Sequence, residues 1–122
     1  MIALCKAIIA GRDLDSIIKR IRDTNSPVMI CGLSPVHRAL VAAAIQTELF
    51  CPVAVMSKDD MSATEFAENA AAASGIEYGV LPSRELVFHN VEGLSREYEH
   101  KRCDIFSRLS DGTLTAVCGS VE

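Results

Sequence analysis

Val28-Met29-Ile30-Cys31-Gly32-Leu33-Ser34-Pro35-Val36-His37-Arg38-Ala39 is the stretch on which the fold turns. Its first four residues are wholly apolar, as in a strand buried on both faces of a parallel sheet. Gly32 to Pro35 then reads as a turn. Ser34 is a good helix N-cap, and Pro35 suits the first helical position. An Ala-rich helix is expected over residues 35–49. Strand, turn and helix in that order make half of a βαβ unit.

The pattern extends in both directions. Upstream, Leu14, Ile17, Ile18 and Ile21 recur at i, i+3, i+4 and i+7, with Lys19, Arg20 and Arg22 opposite them. Residues 13–22 therefore read as an amphipathic helix, stopped by Asn25-Ser26-Pro27. Downstream, residues 52–56 read as a second strand. Asp59 or Asp60 caps a helix that runs through Ala73 and ends at Ser74-Gly75. Residues 77–81 read as a third strand, closed by Pro82-Ser83. Leu86-Val87-Phe88-His89 reads as a short strand or an ordered loop. Ser95 is expected to cap a last helix to about Ser110, with Tyr98, Arg102, Ile105, Phe106 and Leu109 on one stripe. Asp111-Gly112 ends it, and residues 114–118 form a final strand. Strands separated by helices of this length give an α/β fold, a parallel sheet of about four strands with helices on both faces.

Composition bounds the rest. The chain has 122 residues, enough for one domain, here expected as a single module over 1–122. It is 49% hydrophobic, which supplies one core and excludes disorder. No apolar run approaches the roughly 18 residues that span a bilayer. The charge of -4 argues against a domain that grips nucleic-acid phosphates by itself. The five cysteines are odd in number and contain no C-x-x-C pair. They read as small buried hydrophobes of a reducing cytosol, Cys31 and Cys118 inside apolar runs. Only Cys103, beside Lys101 and Arg102, comes near a setting that would activate a thiol. His37, His89 and His100 lie too far apart in sequence to suggest a metal site. The apolar N-terminus lacks the basic start and long core of a signal peptide, so a cytoplasmic location is expected.

Ligands of such sheets bind beyond the carboxyl ends of the strands, so the Gly32 turn is the place to look for chemistry. A phosphate-binding loop would read G-x-x-x-x-G-K-[ST]. Gly32 matches the first glycine. His37 stands where the second should be, Arg38 replaces the lysine, and Ala39 replaces the hydroxyl that holds Mg²⁺. An imidazole at 37 crowds the backbone approach to phosphate. Pro35 removes an N–H, and Ala39 has no oxygen for a metal. Gly32, Ser34, His37, Arg38 and Ala39 are therefore read as a vestigial loop that caps a helix. A weak anion site at the helix N-terminus is the other reading.

The C-terminal half carries a family resemblance. It lies in Leu81-Pro82-Ser83-Arg84-Glu85-Leu86-Val87-Phe88-His89-Asn90, continuing through Val91-Glu92-Gly93-Leu94 into Ser95-Arg96-Glu97-Tyr98-Glu99-His100-Lys101-Arg102. A P-x-x-E element closes a strand there, and a charged helix follows the loop. This stretch resembles the N-terminal region of bacterial transcription-repair coupling factors (Mfd). The Pro-Val-Met-Ile-Cys-Gly-Leu and Cys-Pro-Val-Ala-Val-Met segments fit it too, so the resemblance covers about residues 13–122.

The resemblance implies a degenerate P-loop NTPase (RecA-like) lobe, similar to the first domain of UvrB, with its nucleotide site lost. It implies no catalysis and no cofactor in this chain. It also makes the chain a fragment of a longer ATP-dependent DNA translocase, whose ATP- and Mg-using motor lies elsewhere. That protein removes stalled RNA polymerase from lesions and recruits UvrA for nucleotide excision repair. The implied partners are other domains of the same chain and, for the whole protein, UvrA, RNA polymerase and duplex DNA, with no membrane. Residues 83–94 are too few for the DNA-gripping hairpin of UvrB.

Pro82-Ser83-Arg84-Glu85-Leu86 is also similar to the PTREL backbone-contact motif of helicase lobes. Arg84, Glu85, Arg96 and Arg102 are thus candidates for an interdomain or DNA contact. The plainer reading makes Arg84 and Glu85 a structural pair. It makes residues 96–102 a solvated helix face with a Glu97–Lys101 pair, and gives Arg102 a salt bridge on the apolar stripe. Two other functions stay open: a nucleotide-binding helicase lobe, and a stand-alone Rossmann-like or receiver-like ligand-binding domain. Asp59 and Asp60 follow the second strand, but no acid ends the first, where a receiver would have one.

Overall fold

The computed structural model describes residues 12–24, 26–83 and 92–121, with side chains from Leu14 in the first stretch and from Arg96 in the last. The elements are α1 (Arg12–Asp23), α2 (Pro35–Leu49), β1 (Val53–Ser57), α3 (Asp60–Ser74), β2 (Gly79–Leu81), α4 (Glu92–Ser110) and β3 (Ala116–Ser120). They fall into two compact units. One holds α1, α2 and residues 68–76. The other holds residues 53–67, both remaining strands and α4.

In the helical unit, α1 lays Leu14 and Ile18 on α2 around Ala44, with Val41, Ile45 and Leu49 packed at the margin. The spacing of those α1 residues is the helical period seen in the sequence. Alanines at 39, 43 and 44 are fully buried. Of these, Ala44 lies in the contact with Leu14 and Ile18 of α1. Phe50 closes α2 in the left-handed region, at φ 49°, its N–H bonded to the Gln46 carbonyl.

In the sheet unit, three parallel strands run in the order β1-β3-β2. Val53 and Val55 of β1 pair with Ala116 and Cys118 of β3, and Val80 of β2 pairs with Cys118. Ala116 and Cys118 are fully buried at the centre. Burial pushes the Cys118 thiol up to about 11. α4 packs on β2, and Gly79 leaves room there for the Leu114 side chain. A Cβ at 79 would lie 2.6 Å from Leu114 Cδ2 and 3.7 Å from Ile105. Tyr78 meets Phe66 edge-on, ring centroids 6.4 Å apart. Among the described residues, no helix is long and apolar enough to cross a membrane.

The fold class is therefore mixed α/β with a parallel sheet, as the patterning predicts, with three strands among the described residues where about four were expected. Val28-Met29-Ile30-Cys31 forms no strand. Met29 is 87% exposed, and Cys31 is exposed rather than buried. An apolar run becomes a buried strand only if the sheet offers it a ladder partner. The described ladders pair β1 and β2 with β3 alone.

Element ends also move. β2 begins at Gly79, because Glu77 turns out to pair with Arg108 and Tyr78 turns in. β3 begins two residues later than expected, because Leu114 is drawn into the core and its N–H bonds to the Arg108 carbonyl. α4 begins at Glu92, so Ser95 lies within the helix instead of capping it. Of the stripe expected on α4, Ile105 is buried and Arg102 and Leu109 are half-buried. Tyr98 and Phe106 are exposed. Residues 86–89 lie outside the described residues.

Candidate functional site

Two turns were singled out by sequence, one bonded within itself and the other held from two helices. The first opens α2. Gly32 takes φ +81°, which a glycine adopts without strain. Ser34 is the N-cap: its Oγ accepts from the His37 N–H at 3.3 Å and lies 2.8 Å from His37 Nδ1. Arg38 folds back, and its Nε donates to the Leu33 carbonyl at 3.2 Å. The Arg38 N–H bonds to the Ser34 carbonyl at 3.0 Å. Gly32, Ser34, His37 and Arg38 are exposed, whereas Ala39 is fully buried.

These bonds use several of the groups that a phosphate would need. Pro35 has no N–H, and those of His37 and Arg38 are spent within the turn. Of the guanidinium donors, Nε is given to the Leu33 carbonyl. The hydroxyl and imidazole are within the reach of a nucleophile and its base. On an exposed turn, however, water competes for both, and the arrangement serves as a cap.

The second turn lies where β2 and β3 end. Asp59 and Asp60, alternatives for one capping role in the sequence, divide the work. Asp59 Oδ1 caps α3 by accepting from the Ser62 N–H at 2.7 Å, and its other oxygen meets Lys58 Nζ at 3.3 Å. The Ser62 bonds, with Lys58 behind them, hold its carboxyl below the usual range. Asp60 reaches across the strand ends instead. Its Oδ1 accepts from Ser120 Oγ at 2.5 Å. Its Oδ2 accepts from the Ser83 N–H at 3.0 Å and Ser83 Oγ at 2.8 Å. The Ser120 hydroxyl first, then Ser83, hold the Asp60 carboxyl below its ordinary value against the opposing effect of burial. From α4, Arg102 donates to the Pro82 carbonyl at 2.6 Å. Pro82 and Ser83 are thus tied down from two helices.

This geometry bears on the DNA-contact candidates. Both donors of Ser83 are taken by Asp60, and the carboxylate there repels phosphate. Arg102 is half-buried and bonded to backbone. Among the described residues its partner is that carbonyl and no carboxylate. Arg96 is exposed on α4. Arg84 and Glu85 lie outside the described residues. The expected Glu97–Lys101 pair is present at 3.2 Å, with Lys101 Nζ 6.0 Å from the Tyr98 ring centroid.

Sequence reasoning missed two features. One is the Asp60 clasp, whose only signal was a second acid beside a sufficient cap. The other is the two-pronged pair in which Arg108 donates to both oxygens of Glu77 at 2.8 and 2.6 Å. That pair lowers the Glu77 carboxyl and raises the arginine, chiefly through the hydrogen bonds themselves. Among the described residues, no group of three or more His, Cys, Asp or Glu side chains could hold a metal ion. No family model, curated protein or solved structure matches the chain.

Proposed function

We propose that this chain is a non-catalytic structural and interaction module of a transcription-repair coupling factor, a degenerate P-loop lobe similar to the first domain of UvrB. In that reading the whole protein removes stalled RNA polymerase and recruits UvrA for nucleotide excision repair. ATP and Mg serve a motor outside these residues. Residues 81–102 supply the family part of the proposal. The observation that carries the loss of catalysis is the Gly32–Ala39 turn. Its hydroxyl is bonded to the His37 imidazole and N–H, Arg38 Nε donates to the Leu33 carbonyl, and a buried alanine stands where the metal-binding hydroxyl would be.

Two measurements test the proposal. Calorimetric titration of the chain with ATP and Mg²⁺ should give no heat of binding, and Mg²⁺-dependent micromolar affinity would restore the nucleotide-lobe alternative. Deleting residues 1–122 from the parent protein should leave ATP hydrolysis and polymerase removal intact while repair of the transcribed strand falls. Undiminished strand-specific repair would sink the interaction role.

A further inference from the structure

No further inference is drawn: the strongest candidate, the face of the sheet at β1 where Ala54 and Met56 stand exposed, is an unpartnered apolar face, and nothing in the structure shows what covers it.

Discussion

Asp60 accepts three hydrogen bonds from groups on two strand ends. Hydrogen bonds to a charged group stabilise more than neutral ones, and leaving the donors unpaired adds a desolvation cost. Asp60→Ala is expected to lower stability by roughly 1–3 kcal/mol in urea unfolding, the lower end reflecting partial exposure. Asp60→Asn should recover part of this, because the amide oxygen still accepts. The folded carboxyl sits below its unfolded value, so its contribution is present above that value. It is lost as pH falls through the folded one. Acid unfolding below about pH 4 should therefore be less steep in Asp60→Asn than in the parent. Equal slopes would remove the clasp from the account. Thiols give a second residue-scale test. Cys31 and Cys103 are exposed, while Cys118 is buried with its thiol pushed up to about 11. A thiolate reagent near pH 8 should modify Cys31 and Cys103 in the folded chain and reach Cys118 only after denaturant is added. Rapid native labelling of Cys118 would contradict the central position of β3.

At the scale of elements, helices were legible because their signals are local. Leu14, Ile18 and the Ser34-Pro35 start carry their own periodicity or cap. Strands were legible only in part, since a strand exists through its neighbours. Val53–Ser57 and Val28–Cys31 look alike as runs, yet only the first found a ladder. The insertion of β3 between β1 and β2 and the Asp60 bonds, which span 23 and 60 residues of chain, leave no local trace. Substitution at Met29 separates the two descriptions. An exposed loop residue predicts that Met29→Ser changes stability by less than about 0.5 kcal/mol. A buried strand would predict a loss of about 2 kcal/mol or more. Gly79 tests the seat of Leu114 against β2 in the same way. Gly79→Ala should destabilise by roughly 1–3 kcal/mol through overpacking against Leu114. In the Leu114→Ala background its cost should shrink, because the obstructing methyl is gone. An unchanged cost would show that the strain lies elsewhere.

At the scale of the whole molecule, the question is whether so closed a set of turns leaves any affinity for nucleic acid. The chain carries 12 Lys and Arg against 16 Asp and Glu. Several of its cations are already engaged: Lys58 with Asp59, Lys101 with Glu97, Arg108 with Glu77, and Arg38 and Arg102 with backbone carbonyls. Lys19 and Arg22 share a shallow surface groove with Asp15, Asp23 and Glu48, so their field is largely cancelled there. Phosphate binding draws its free energy from released counterions, and it needs several uncompensated cations on one face. Anisotropy of a labelled duplex should therefore show no binding by the chain at about 0.15 M salt, with only weak, steeply salt-dependent association at low ionic strength. Arg96, exposed on α4, is the described candidate best placed to contribute to that residue of affinity. Arg96→Ala should change the low-salt signal slightly and the higher-salt signal not at all. Micromolar affinity at the higher salt, reduced by Arg96→Ala or Arg102→Ala, would instead make α4 a DNA contact and overturn the reading of its charges as internally satisfied.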